Sequence, residues 1–144
     1  MVVRSLIKRG KIFLLFLTVV CILLLGIYKV YIQNDKNDCV RNIQMYFEYM
    51  NRKDFDKFNE IVTSNLQIND ELEKENINNN LLLVEMLSIE QVKDKEGIFK
   101  VKYRRIWDEK FIATGSEEPG ENIEDVLIYS IKENNKWHIN ELEY

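Results

Sequence analysis

Hydrophobic residues form one continuous run near the start of the chain and become periodic afterwards. Residues 12–28 contain no charged side chain. The run continues past Lys29 to Ile32, which gives a helix long enough to cross a hydrocarbon core of roughly 30 Å. The pattern therefore predicts a transmembrane helix over residues 12–32, with the lipid bilayer as its partner.

A cleaved signal peptide and a lipoprotein signal are the two alternatives to a permanent anchor. A signal peptide has a shorter apolar core and small residues at its cleavage site, whereas residues 24–33 contain one glycine and no pair of small residues. A lipidated cysteine follows a small residue, but Cys21 follows Val20. We therefore expect an uncleaved anchor.

Helical periodicity follows the span. Residues 33–37 are polar and offer N-cap candidates, so we interpret them as a linker. Apolar residues then recur at helical spacing over residues 40–50, and Asp54 is placed to cap a second helix. A brief third helix is expected over residues 70–76, and the asparagines that follow are predicted to end it.

The second half of the chain shows the two-residue period of β-strands. Alternation is clearest over residues 98–112, and further strands are expected at 81–92, 124–132 and 137–144, separated by turn sequences. A loop is predicted over residues 114–122. These elements predict an α+β fold, with two or three helices packed on one face of a four-stranded antiparallel sheet.

Charge is distributed unevenly along the chain. Residues 1–33 carry five basic side chains and no acidic one, whereas residues 34–144 carry 15 basic and 24 acidic side chains, a net charge of −9. Because basic residues favour the cytoplasmic side of a span, residues 1–11 are predicted to be a cytoplasmic tail and residues 38–144 an extracytoplasmic domain. The negative domain also argues against nucleic acid as a partner.

Two pieces of this domain carry a resemblance to a known family. They are the aromatic-Asn-x-Lys-Asp junction at Tyr49–Asp54 and the terminal Lys136-Trp137-His138-Ile139. Residues 38–144 resemble the nuclear transport factor 2-like superfamily, also called SnoaL-like or cystatin-like, and in particular its small extracytoplasmic members from low-GC bacteria. The resemblance implies a curved sheet that wraps around a helix to form a cone, in some members with a ligand pocket at its open end. Neither piece is a catalytic motif, so the resemblance implies a fold and not an activity.

Known catalytic and metal-binding motifs are missing from the sequence. It contains no CxxC, HExxH or GxSxG motif and no phosphate-binding glycine loop. We therefore expect no catalytic residue, no cofactor and no metal. His138 is the single imidazole, and we interpret it as a surface histidine because Trp137 and Ile139 take the other face of the last strand.

Arg105 is a charged residue that strict alternation places on an apolar face. It shares that face with Tyr103 and Trp107, where a guanidinium is costly unless it is paired or stacked. One interpretation is a pocket-lining or anion-binding arginine between two aromatic residues. The alternatives are a register change at Arg104-Arg105 or pairing with a neighbouring carboxylate.

Three other groups of residues have two interpretations each. The first is a basic row on the outward face of the same strand, which is either exposed to solvent or binds an acidic partner or lipid headgroups; it consists of Lys100, Lys102, Arg104 and Lys110. An acidic segment suits either a solvated loop or weak binding of divalent cations; it consists of Glu117, Glu118, Glu121, Glu124 and Asp125. Cys39 is either a reduced thiol or a bridge between two chains.

The sequence leaves three functions open. The first is a membrane-anchored extracytoplasmic domain that binds a protein, a peptide or a small molecule without catalysis. The second is a structural, bitopic subunit of an envelope complex like those of conjugation and type IV secretion. The third is a hydrolase or isomerase with its site inside the cone, for which Arg105, His138 and a carboxylate would have to converge.

Overall fold

Three helices precede a four-stranded antiparallel sheet in the part of the chain that the structure describes. The structure is a computed structural model that describes the backbone of residues 2–111 and 118–144 and the side chains of residues 16–111 and 118–144. The elements are α1 (Val2–Arg52), α2 (Phe55–Ile61), α3 (Glu71–Asn80), β1 (Leu81–Gln91), β2 (Ile98–Trp107), β3 (Gly120–Glu133) and β4 (Lys136–Glu143). The predicted α+β class is confirmed. The chain divides into two compact units, Met1–Asp35 and Lys36–Tyr144.

The first unit contains the apolar part of α1. From Phe16 onward, the helix has an 18-residue window with a mean hydropathy of 2.0, and none of that window is buried. Most of the surface of its apolar side chains is therefore exposed. By length and composition, this helix can cross a membrane.

The polar residues 33–37 do not interrupt the helix. The predicted helix start at this point is wrong, because α1 continues through it to Arg52. Asparagine and aspartate favour N-caps but cost a helix interior only a fraction of a kcal/mol, about 0.7 at most, and residues 27–52 contain no glycine or proline. Arg41 Nη2 also donates to Asp38 Oδ1 at 2.8 Å, one turn away. The segment interpreted as a linker is therefore helical.

The second unit contains the sheet, in the order β1-β2-β3-β4. β2 and β3 pair without a register shift, from Ile98 opposite Tyr129 to Trp107 opposite Gly120. The register change considered at Arg104-Arg105 is therefore wrong, and the irregularities beside β2 lie in β1 instead. Unbroken alternation puts Phe99, Val101, Tyr103, Arg105 and Trp107 on one face of β2.

Two predicted boundaries lie elsewhere in the structure. α3 runs through the asparagines that were expected to end it, because Asn80 Nδ2 donates to the Asn76 carbonyl at 3.0 Å and the Leu81 amide donates to Ile77. β3 begins at Gly120, inside the predicted loop, while residues 112–117 of that loop lie outside the described residues. The predicted hairpin turn between β3 and β4 is confirmed, with positive φ at both Asn134 and Asn135.

The helices of the second unit cover the face of the sheet that carries the aromatic residues of β2. The most deeply buried side chains come from every layer of this packing: Ile43, Phe58, Phe99, Val101, Ile128 and Ile139. The ring of Phe47 in α1 lies 5.4 Å from that of Tyr103, measured between centroids. This face, rather than the outer one, therefore holds the core.

Side-chain amides of α1 fix the helix to both edges of the sheet. At the β4 edge, Asn42 Nδ2 donates to the Trp137 carbonyl at 2.9 Å and to the Ile61 carbonyl at 3.3 Å. At the β1 edge, Asn51 Oδ1 accepts from the Val84 amide at 3.1 Å. Asn42 and Asn51 thus hold α1 in place at the two edges of the sheet, and a space is left between the helix and the sheet.

Candidate ligand cavity

A cavity of about 280 Å³ lies between the helices and the inner face of the sheet. Ligand pockets in proteins measure roughly 300–1,000 Å³, so this one is at the small end of the range. Most of its wall is apolar and includes Phe47, Phe58, Val84 and Val126. It can therefore enclose the apolar part of a small molecule.

One side of the cavity is polar, and it is built by the alternating face of β2. Tyr103, Arg105 and Trp107 all line the cavity. The three residues singled out from the sequence are therefore brought together, because residues two apart on a strand point to the same side.

Arg105 is paired with a carboxylate. Its Nη2 donates to Glu124 Oε1 at 2.8 Å, and Tyr103 Oη donates to Glu124 Oε2 at 2.5 Å. The guanidinium carbon also lies 6.0 Å from the centroid of the Tyr103 ring and 5.8 Å from that of Trp107. Arg105 therefore lines the cavity and is also neutralised by a neighbouring carboxylate.

Two donors beside this cluster lack an acceptor. Arg105 Nε and Trp107 Nε1 are buried and have no hydrogen-bond partner among the described residues. Trp107 is only 6% exposed, and its ring stacks on Phe111 at 4.7 Å. A buried N–H without an acceptor costs about 1–3 kcal/mol, so an acceptor that reaches either group would recover that energy.

Two tyrosines of the cavity, Tyr46 and Tyr103, stay protonated at neutral pH. Burial raises the pKa of Tyr46 well above its ordinary value, and the nearby Tyr144 raises it further. Burial also raises the pKa of Tyr103, and its hydrogen bond to Glu124 adds to the effect. Both phenols therefore act as neutral hydrogen-bonding groups and not as bases.

Several residues in or beside the cavity were not predicted from the sequence. Glu124 was assigned to the acidic segment, although it lies two residues before Val126 and four before Ile128, which are both buried. This even spacing indicates that the Glu124 carboxylate lies on the same face of β3 as Val126 and Ile128. Tyr46 belongs to the helix expected over residues 40–50 but was not assigned to a site, and nothing in the local pattern of α3 indicated that Asn76 would line a cavity.

Two of the four side chains in the outward basic row, Arg104 and Lys100, are paired with carboxylates of the adjacent strands. Arg104 pairs with Glu85 at 2.6 Å and with Glu121 at 3.5 Å, and Lys100 lies 3.6 Å from Asp125. Glu121, Glu124 and Asp125 consequently belong to a strand rather than a loop, while Glu117 lies outside the described residues. No group of three potential ligands for a metal ion occurs within the described part of the chain.

His138 and Cys39 lie away from the cavity, whose lining among the described side chains includes neither of them. His138 is half-buried on β4, opposite Ile131. The three groups that an enzyme inside the cone was expected to need are therefore not brought together. Cys39 is 1% exposed in the core of the second unit, so the folded domain does not present it for a bridge between two chains.

Comparison of the chain with protein-family models, with curated proteins and with solved structures finds no match.

Proposed function

We propose that this chain is a membrane-anchored protein whose extracytoplasmic domain, residues 38–144, binds a small molecule in the cavity without converting it. The observation that carries the proposal is the combination of an apolar wall with two buried donors that lack acceptors, Arg105 Nε and Trp107 Nε1. Ligand sites commonly combine an apolar lining with a few polar groups of this kind.

Binding fits the cavity better than catalysis because the charged groups around Arg105 are already engaged with one another. Glu124 accepts from both Arg105 and Tyr103. A general base needs a lone pair directed at the substrate proton, and a phenol with a raised pKa does not supply one at neutral pH. The cavity is therefore suited to holding a molecule rather than transforming it.

The anchor and its orientation rest on the apolar window of α1 and on the basic residues before it. The cluster consists of Arg4, Lys8, Arg9 and Lys11, and basic residues before a span favour a cytoplasmic N-terminal tail. Alkaline phosphatase fused after Tyr144 should be active, since this enzyme folds only outside the cytoplasm. A control fusion without residues 1–35 should be inactive, and an inactive full-length fusion of normal abundance would contradict the orientation.

Membership of the nuclear transport factor 2-like superfamily is part of the same proposal. Helices that precede a four-stranded antiparallel meander, together with a cavity on the helix-covered face, support it. An experimental structure of the full chain tests it directly. A sheet that curves around α1 is expected, and a flat sheet without a cavity would contradict the assignment.

The two tryptophans of the chain provide a test of ligand binding with an internal control. Trp107 lines the cavity, whereas Trp137 lies outside its lining, beside Gly97 and Lys132. In the full chain, reconstituted in lipid nanodiscs and labelled with ¹⁵N at the indoles, 4-phenylbutanamide should shift the Trp107 signal saturably. The Trp137 signal should stay in place, and equal or absent shifts at both indoles would overturn the proposal.

A further inference from the structure

Two side chains of opposite charge, Arg105 and Glu73, line the cavity, and Arg105 is also paired with Glu124 beside it. From this we infer that the cavity selects an uncharged molecule that carries both an acceptor and a donor, such as a carboxamide, on an apolar body. The inference rests on the proposed function, since it assumes that the cavity binds a small molecule, and it specifies the chemistry of that molecule.

An anion is disfavoured despite the arginine. The guanidinium of Arg105 is compensated by Glu124 at 2.8 Å, so an added carboxylate would face a negative group as well as a positive one. Glu73 lines the cavity as well, and residues 34–144 have a net charge of −9. Like charges at close range oppose binding, and the anion would also have to lose its hydration shell.

A cation is disfavoured at the aromatic rings of β2, because Arg105 already lies beside them. Ammonium groups bind over aromatic faces, and the rings of Tyr103 and Trp107 are the polar side's aromatic surfaces. Arg105 itself lies 6.0 Å and 5.8 Å from their centroids. A ligand ammonium placed there would lie next to the guanidinium and be repelled by it.

A carboxamide matches the hydrogen-bonding groups that remain. Its carbonyl can accept from Trp107 Nε1 or Arg105 Nε, which have no acceptor within the described part of the chain. Its N–H₂ group can donate to a carboxylate, either Glu73 in the lining or Glu124 beside Arg105, which has about four lone-pair sites and accepts two hydrogen bonds from side chains. The Glu124 side chain remains 29% exposed and the Arg105 side chain 15%, so neither side chain is fully enclosed by protein.

The apolar lining of the cavity determines the size and shape of the apolar part of the ligand. Phe47, Phe58 and Val126 line it, and its volume of about 280 Å³ suits a single ring or a short chain. A phenyl ring with a short aliphatic connection to the polar group therefore fits the site.

Three probes with the same tail test the inference, namely 4-phenylbutanamide, 4-phenylbutanoate and 4-phenylbutylamine. Dissociation constants are measured at pH 7 from the Trp107 indole signal of the full chain in nanodiscs, with Trp137 as the internal reference. The amide should bind at least about tenfold more tightly than either charged probe. In Glu124→Gln, the butanoate should gain at least about tenfold in affinity, whereas Glu121→Gln, on the outward face of the same strand, should leave the ranking unchanged.

The possible results separate the inference from the function on which it rests. If the butanoate or the amine binds the wild-type chain as tightly as the amide, the inference is wrong and the cavity is still a ligand site. If no probe shifts Trp107, the proposed function fails together with the inference. The ranking in the wild-type chain decides the matter even if Glu124→Gln does not fold.

Discussion

Arg105 in β2 and Glu124 in β3 form an ion pair at 2.8 Å on the inner face of the sheet. The register places Glu124 opposite Tyr103 and Asn122 opposite Arg105, so the pair is diagonal. Diagonal neighbours on one face of an antiparallel pair are within reach of long side chains. Each charge of the pair thus neutralises the other, whereas either charge alone would be unfavourable in this partly buried position.

Glu124→Gln should lower the free energy of unfolding by about 1–3 kcal/mol, because it leaves the guanidinium of Arg105 without its counter-charge in a partly buried site. Chemical denaturation of the full chain in detergent micelles, followed by tryptophan fluorescence, measures the change. Asp125→Asn is the matched control, since it removes the exposed partner of Lys100 at 3.6 Å and should cost less than about 0.5 kcal/mol. Equal effects of the two substitutions would contradict this account of the pair.

Gly97→Ala should be much more destabilising than Gly120→Ala. Both glycines have positive φ, at 73° and 86°, and so share the backbone strain of about 1 kcal/mol or more. A Cβ at Gly97 would in addition lie 2.5 Å from the carbonyl oxygen of Ser130, whereas nothing lies within 4 Å at Gly120. We expect a loss of more than about 3 kcal/mol for Gly97→Ala and about 1 kcal/mol for Gly120→Ala in the same denaturation experiment. Similar losses of stability in the two variants would show that the Ser130 carbonyl oxygen does not lie this close to Gly97.

Tyr46→Phe should make the protein less sensitive to alkaline pH. Burial raises the pKa of Tyr46 above its ordinary value of 10.0, so above pH 10 the unfolded chain loses this proton while the folded chain keeps it. Stability therefore falls as the pH rises, by up to roughly 1.4 kcal/mol per pH unit for this group. The variant keeps the ring contacts with Phe47 and Phe58.

Unfolding of wild type and Tyr46→Phe at pH 7, 9, 10.5 and 11.5 checks the prediction. The difference in stability between the two proteins should be constant up to pH 9 and should shift in favour of the variant above pH 10. Parallel curves over the whole range would show that the Tyr46 hydroxyl is not buried in the folded state.

Cys39 should react with a maleimide only after the domain unfolds. Its side chain is 1% exposed, whereas the reaction needs a thiolate that the reagent can reach. In a Cys21→Ala background, labelling of the full chain in nanodiscs should be slow without denaturant and fast in its presence. Rapid labelling of the native protein, or a disulfide-linked dimer under oxidising conditions, would contradict the burial of Cys39.

The elements with strong periodicity were predictable from the sequence. Alternation over β2 predicted that Tyr103, Arg105 and Trp107 share a face, and the apolar run near the start predicted a helix able to span a membrane. Asp54 was expected to cap a helix, and its side chain accepts from the Lys57 amide at the start of α2. These features depend on local backbone geometry, which the local sequence determines.

The features that depend on distant contacts were not predictable. The helix was expected to begin at residues 33–37, because cap preferences are weaker than the cooperativity of a helix that is already formed. The Arg105 and Glu124 pair needed the register of β2 against β3, which depends on turn geometry and on which face is buried. The same holds for the cavity, since its wall combines α1, α2, α3 and the sheet.

The location of a bound probe tests the central claim most directly. Intermolecular nuclear Overhauser effects between 4-phenylbutanamide and the full chain in nanodiscs identify the side chains that surround the probe. The account predicts contacts from the phenyl ring of the probe to Phe47 and Phe58, and from its amide to the indole of Trp107. Contacts confined to lipid, to Trp137 or to the outward face around Arg104 would contradict a ligand cavity inside the domain.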